Sequence, residues 1–346
     1  MTPPAPPAPP RGPIHRLWRF VHRIRRSWYR KRARQLPRPV VSIGNLHWGG
    51  TGKTPLVATM ASRLRDDGLR VAILSRGYGR STRGPLIVSR GAGPEVPLRE
   101  AGDEPFLLAR ELPGVVIVVS ERRADAGRLA LELASDRELF LLDDGFSHLA
   151  LDRDLDLLAI PAEDPWGGAR LPPRGRLREP LESSRRADAL LVTGADTDAT
   201  VAETVGSGMA GFGFEGRSFA APIGEGTPRT DKGEAVPDGT RVLLVTGIAR
   251  PERVAESART IGLEIVDHLR FPDHHRYPER SIERIRSRLE GSDAELVLTT
   301  DKDRAKLEGR LGSLLAVLPV RAEIEDGFWD WLRGRLELAP AAGKGP

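Results

Sequence analysis

The sequence predicts an α/β protein: a largely parallel sheet covered by helices, followed by a second, smaller α/β domain. Three observations carry this expectation. A short β-branched run passes through a glycine-rich loop directly into a helical pattern between residues 39 and 68. Short apolar runs then alternate with helical segments as far as residue 194, the spacing of parallel strands joined by crossover helices. A new alternating unit begins near residue 241, after a stretch rich in glycine and polar turns.

The totals agree with folded domains. With 346 residues and 39% apolar content, the chain can supply real cores, and disorder throughout is excluded. Cysteine is absent, so there is no disulfide scaffold and no thiolate metal site, which fits an intracellular compartment. The net charge of +5 is unevenly spread: residues 1–40 carry eleven Lys/Arg and no Asp/Glu, so the remainder is net acidic. No run of about 18 apolar residues exists to form an ordinary transmembrane span. The start, MTPPAPPAPPRGP, lacks the apolar stretch of a secretory signal and reads as an extended, solvated lead-in.

Residues 1–38 therefore comprise this lead-in and a basic arm. Within residues 14–34, Ile14, Leu17, Val21, Ile24 and Trp28 recur at steps of three and four and line up on one helix face. Arg16, Arg19, Arg23, Arg26 and Arg30 fill much of the rest, with Trp18, Phe20 and Tyr29 near the boundary. This is the pattern of an interfacial helix that meets an anionic membrane surface. Docking of the stripe on the protein's own body is the alternative. A nucleic-acid arm would be basic as well but has less need of a regular apolar stripe, so nucleic acid is not an expected partner.

The core is expected over residues 39–205. The run PVVSI suits a buried strand, GNLHWGGTGKTP follows, and LVATMASRLRDDG reads as a helix with Leu56, Met60 and Leu64 inward. Strand, glycine loop and helix in that order are the context of a phosphate-binding loop, so the expected fold is P-loop NTPase-like. Gly49, Gly50, Thr51 and Gly52 form the loop whose amides would face phosphate oxygens, Lys53 can reach the β- and γ-phosphates of ATP, and Thr54 can offer its hydroxyl to Mg2+. A strict GxxxxGK[ST] match would have glycine where this chain has His47.

Further along, VAILSRGYGR is a strand followed by a turn bearing Arg76 and Arg80, which can serve a phosphate or simply be solvated. In AGDEPFLLARELPG, Asp103 or Glu104 can cap the helix or take the proton of a nucleophilic hydroxyl, and spacing alone does not choose between them. Val115–Val119 is a buried strand, as is ELFLL, which ends abruptly at Asp143 and Asp144. Carboxylates at the C-terminal edge of a core strand sit where a P-loop fold handles Mg2+, although any Asp-Asp-Gly can also be a plain turn. LDLLAI and ADALLVTG add two strands, and the loop between them concentrates Arg174, Arg176 and Arg178 as a lid, an acceptor-binding surface or an irregular excursion.

Residues 206–240 read as a hinge region, and residues 241–346 as the smaller C-terminal α/β domain. There FPDHHRYP offers Asp273, His274 and His275. Adjacent histidines cannot both point one way from regular structure, so a metal site is less natural than a single histidine that orients an acid or a local packing role. In TTDKDRAKL, Asp301, Lys302 and Asp303 are read first as a helix-start cap.

Taken together, GNLHWGGTGKTP, SRGYGR, AGDEP, LDDGFSH, GRLREP, FPDHHRY and TTDKD, in that order, resemble the tetraacyldisaccharide 4'-kinase family of lipid A biosynthesis. GGTGKTP alone would be shared with many ATPases, whereas its combination with LREP and PDHH is specific. The resemblance implies a lipid kinase, a transferase that uses ATP and Mg2+ to phosphorylate the 4'-hydroxyl of a tetraacylated glucosamine disaccharide 1-phosphate. It implies a peripheral or monotopic protein at the cytoplasmic face of the bacterial inner membrane, and nothing in the sequence points to an obligate protein partner. By matching motif, Asp103 would be the catalytic base, His274 its partner across the domain cleft, Asp143 and Asp144 the Mg2+ residues, and Arg178 and Glu179 neighbours of the reacting phosphates. Ser147 departs from the longer amide common in the family, the arm is short and unusually rich in arginine, and residues 1–13 have no counterpart. A positioning or assembly ATPase with a deviant P-loop is the rival reading, but such proteins usually carry an extra lysine where this chain has Trp48.

Overall fold

Four neighbouring parallel strands end at one edge of a sheet. The computed structural model describes residues 3–7, 20–21, 24, 28–29, 32–49, 51–172 and 175–338. Strands in chain order are β1 (Val40–Asn45), β2 (Val71–Ser75), β3 (Leu86–Ser89), β4 (Val116–Val119), β5 (Leu139–Asp143), β6 (Leu155–Pro161), β7 (Ala189–Gly194), β8 (Arg217–Glu225), β9 (Arg229–Thr230), β10 (Arg241–Thr246), β11 (Glu264–Arg270), β12 (Leu296–Thr300), β13 (Leu315–Leu318) and β14 (Val320–Ala322). They form a nine-stranded sheet, ordered β14-β8-β7-β6-β1-β5-β2-β4-β3, and a five-stranded sheet, ordered β11-β10-β12-β13-β9.

All six strands expected before residue 194 are present, and their pairings β1–β5, β1–β6, β2–β4, β2–β5 and β6–β7 are parallel. The antiparallel edge strand β3 was not anticipated. Alternate residues of each strand enter different cores. Val41, Ile43, Ile73, Leu141 and Leu157 join Leu56, Met60 and Leu64 of helix Lys53–Asp66 on one face. Leu74, Phe140 and Leu142 face Ala126 and Ala130 of helix Arg123–Leu133 on the other. Burial on both faces explains the near-continuous apolar runs, since parallel strands lie between helical layers.

The expected boundaries require correction. One compact unit comprises residues 1–223 and 322–346, and the other residues 224–321. Much of the expected hinge is regular structure: helix Ala199–Ala210 runs into it, and β8 pairs in parallel with β7. The end of the chain, assigned from sequence to the small domain, instead belongs to the large one. Helix Asp326–Leu336 buries Phe328, Trp329 and Leu332 in the same cluster as Leu56 and Met60. Burying each such side chain gains about 1.5–3 kcal/mol, whereas doubling the length of a closed loop costs only about 0.6 kcal/mol, so an intervening unit of about a hundred residues is easily accommodated.

The smaller unit has its own parallel core, with β10 paired to β11 and β12, and β12 to β13. Leu243, Val245, Tyr277, Ile282 and Ile285 are buried on one side of this sheet, and Val242, Leu244, Ala255 and Ala258 on the other.

In the arm, Phe20, Val21, Ile24, Trp28 and Tyr29 are helical. Phe20, Val21, Ile24 and Trp28 are 57%, 48%, 53% and 52% exposed. Ile14, Leu17, Trp18 and the arginines at 16, 19, 23, 26 and 30 lie outside the described residues, as do Gly50 and Arg174. The base of the arm is pinned: Arg34 bridges to Leu151, its guanidinium meets Asp125 at 3.1 Å, and Gln35 donates to Asp152 at 3.0 Å. No helix among the described residues is long and apolar enough to cross a membrane.

Candidate active site

Strand register assembles the site. Ile43 lies beside Asp143, Leu74 beside Leu142, and Ser75 beside Val119, so the C-terminal ends of β1, β5, β2 and β4 stand at one level. The glycine loop leaves β1 there, with Gly49 at φ 101° and Gly52 at φ 78°. Left-handed backbone at these positions is open to glycine at little steric cost. Gly52 precedes a helix with no side-chain cap and no acidic residue in its first turn. Its first amide N–H groups and the positive end of its dipole are therefore open to an anion.

Buried polar groups hold the loop. Asn45 donates to the Thr51 hydroxyl at 2.8 Å and to the His47 carbonyl at 3.0 Å, and the Thr193 hydroxyl donates to the Thr51 carbonyl at 3.1 Å. The side chain of Thr51 is thus engaged in loop structure. His47, the departure from the strict P-loop pattern, is buried, and its Nε2 meets the Asp164 carbonyl at 3.1 Å. It bridges to Leu177, while Arg178 N–H donates to Leu46 and Trp48 N–H to Arg176. A glycine at 47 would lack the ring that ties the nucleotide loop to the arginine loop.

Lys53 Nζ lies 3.6 Å from Asp144 Oδ1, and Arg178 Nη1 reaches Asp144 Oδ2 at 2.9 Å. Arg178 also stacks over Trp48, 4.8 Å from its ring centroid. Burial raises the Asp144 carboxyl, but the charges of Lys53 and Arg178 more than offset it and hold the group below its ordinary range. Asp143 behaves oppositely. Burial, followed by the Glu104 and Asp144 charges, pushes it up to about 7, against a hydrogen bond from Ser75 at 2.8 Å. Its Oδ1 is buried without a hydrogen-bond partner. Such an orphan costs about 1–3 kcal/mol and needs a functional explanation.

Asp103 opens helix Asp103–Glu111 immediately after Gly102, whose φ is 91°. A Cβ on Gly102 would come within 3.0 Å of the Tyr78 carbonyl, so the AGDEP and SRGYGR motifs abut. Through this contact the helix start approaches the carboxylate site closely enough for Glu104 to influence Asp143.

Not every expected residue joins this cluster. The Glu179 carboxylate is buried and accepts from Ser147 Oγ at 2.5 Å and Arg186 at 2.8 Å. Successive side chains on an extended segment point to opposite sides, and here Arg178 faces Asp144 while Glu179 faces inward. Arg80 is likewise structural, its side chain held by Glu121 at 2.8 Å. His274 stands in the smaller unit at φ 60°, with Lys302 Nζ 3.2 Å from its Nε2. His275 turns elsewhere, stacked on Phe271 and bonded to the Ser281 hydroxyl, so the two histidines do diverge. Thr300, rather than Asp301, supplies the cap of helix Asp301–Leu307.

Ser75 and Arg123 were missed in the sequence. Arg123 is 3% exposed, and burial lowers it to about 10 against the favourable charge of Asp143. Ser75 is the last residue of β2 and Arg123 opens the helix that follows β4, both near the C-terminal strand ends where open α/β sheets bind ligands, and that rule was the available signal.

Asp143 and Asp144 offer hard oxygen donors of the kind Mg2+ takes, as does the hydroxyl of Thr54, and the orphaned Asp143 Oδ1 fits a cation. Among the described residues no group of three His, Cys, Asp or Glu can hold a metal alone.

The model of the tetraacyldisaccharide-1-P 4'-kinase family matches residues 12–337. The chain is 41% identical over 302 residues to a tetraacyldisaccharide 4'-kinase of Pelobacter propionicus, covering 86% of this chain and 82% of that protein. It is 43% identical over 288 residues to the corresponding kinase of Geobacter sulfurreducens, covering 82% and 79%. Among solved structures, LpxK from Aquifex aeolicus in complex with ATP superimposes with a TM-score of 0.73 at 34% identity, covering 94% of this chain and 96% of that one. The chain belongs to the tetraacyldisaccharide-1-P 4'-kinase family.

Proposed function

We propose that this protein transfers the γ-phosphoryl group of ATP to the 4'-hydroxyl of a tetraacyldisaccharide 1-phosphate, the step named in its family. The observation that carries the reading is the convergence of an uncapped helix N-terminus, Lys53, Arg178 and two carboxylates of opposite electrostatic character at one sheet edge.

The loop amides of residues 49–54 bind phosphate oxygens, and Lys53 neutralises charge on the transferring group. Asp143, Asp144 and Thr54 would hold Mg2+, which supplies charge neutralisation between the phosphates when bound. Arg178 is oriented by Asp144 and the Trp48 face toward the same region. Glu179 acts one step back, with Arg186 and Ser147, by fixing the backbone that presents Arg178. Asp103 takes the proton of the acceptor hydroxyl, a role supported by its motif and by its helix start beside the carboxylate site. The FPDHHRY motif supports a part for His274 in the same proton transfer.

The arm and the net positive charge of residues 14–34 support attachment to an anionic membrane, at the cytoplasmic face of the inner membrane where the lipid acceptor resides. The test of the proton-transfer role is Asp103→Asn. It is expected to bind ATP as the wild type does while lipid phosphorylation falls about 10²–10⁴-fold, the range for loss of a general base. Undiminished turnover would remove Asp103 from the mechanism.

A further inference from the structure

We propose that Lys302 is a positioning residue that fixes His274 in one hydrogen-bonding state, with the ring proton on Nδ1. The proposal rests on the role assigned to His274 above.

The turn that carries His274 is strained and firmly held. His274 at φ 60° and Tyr277 at φ 50° are non-glycine residues in left-handed backbone, a conformation that persists only where the surroundings hold it. The strain is offset nearby. His274 N–H donates to the Gly247 carbonyl at 3.1 Å and to Asp273 Oδ1 at 3.0 Å. Gly247 N–H in turn donates to Asp303 Oδ2 at 2.7 Å, and Asp303 is fully buried and also accepts from the Thr300 hydroxyl at 3.2 Å. Arg310 donates to the Tyr277 carbonyl. Backbone placement of His274 is therefore fixed by residues other than Lys302.

Lys302 acts on the ring itself. Its ammonium stands 3.2 Å from His274 Nε2 and 3.2 Å from Asp273 Oδ1. An ammonium has donors and no acceptor, so the nitrogen it contacts must present a lone pair. A neutral imidazole with its lone pair on Nε2 carries its proton on Nδ1. The alternative, an Nε2–H donating to Asp273, is disfavoured by distance: Nε2 lies 3.9 Å from Asp273 Oδ2, beyond hydrogen-bond reach. Asp273 instead steadies the ammonium. The consequence is that His274 offers an Nδ1–H donor to a carboxylate or hydroxyl, with its other nitrogen already satisfied.

The experiment is 15N NMR of the full chain labelled at histidine, with His274 assigned by its loss in His274→Gln, beside steady-state kinetics. The wild type is expected to show a protonated Nδ1 and an unprotonated, hydrogen-bonded Nε2. Lys302→Met is expected to shift proton population to Nε2 and lower kcat about 10- to 100-fold with KM for ATP unchanged, the range for loss of an orienting partner. Lys302→Arg, which keeps a cationic donor, is expected to retain the wild-type tautomer and most of kcat. A wild-type Nε2–H tautomer, or an unchanged tautomer and kcat in Lys302→Met, would overturn the proposal at the contact. Full turnover in His274→Ala would overturn it through the role of His274 itself, so the two failures are distinguishable.

Discussion

Asp143 is a carboxyl group whose surroundings favour its neutral form. Burial and two nearby carboxylates raise it from an ordinary value of 3.8 to about 7. Within that window the folded chain keeps a proton that the unfolded chain releases, so this group's contribution to stability falls as pH rises from about 4 to about 7 and then levels off. Asp143→Asn keeps the shape and removes the buried charge. In buffer free of Mg2+ and nucleotide it is expected to melt a few degrees above the wild type at pH 8, at about 2–4 °C per kcal/mol, and nearer to it at pH 5. A lower Tm for the variant at pH 8 would contradict the electrostatic account. Lys53, Asp143 and Asp144 were legible because each stands at a loop or strand end inside a recognisable motif. Ser75 and Arg123 were not, since their proximity to Asp143 depends on the register of β2 against β5 and β4, which is not local in sequence. Glu179 was read as a neighbour of the phosphates from the GRLREP motif, whereas its carboxylate is buried against Ser147 and Arg186, contacts that depend on chain segments the motif does not contain.

At the scale of elements, the return of the chain to the large unit makes the C-terminal helix part of the nucleotide domain's core. Phe328 is fully buried there and packs edge-on to Phe219 of β8 at 5.4 Å between ring centroids. Phe328→Ala is expected to destabilise the large unit by about 3–5 kcal/mol, read by chemical denaturation monitored through ATP binding. If ATP binding instead melts as in the wild type, the helix is not part of that core. Apolar residues in DGFWDWLRGRL identify a helix with a buried side, but they carry no information about which of two cores receives it. Proximity in sequence favoured the small domain, and packing decided otherwise. Strand β8 was obscured in the same way, because Pro222 and flanking glycines give its segment the composition of a turn region.

At the scale of the whole molecule, the arm carries exposed Phe20, Val21, Ile24 and Trp28 within a sequence dense in arginine. The combined substitution Val21→Glu, Ile24→Glu and Trp28→Glu removes side chains worth about 1.5–3 kcal/mol each when buried. It is expected to reduce co-sedimentation with anionic vesicles at least about tenfold while leaving phosphorylation of detergent-dispersed lipid near the wild-type rate. Unchanged vesicle binding would assign membrane contact to another surface. The measurement that bears most directly on the central claim is transfer of labelled γ-phosphate from Mg·ATP to tetraacyldisaccharide 1-phosphate, with Lys53→Ala beside the wild type. Label is expected at the 4'-position with the wild type and to fall about 10²–10³-fold with the variant, as on loss of one charge-stabilising donor. ATP hydrolysis without label on the lipid, or equal labelling by both proteins, would contradict the account.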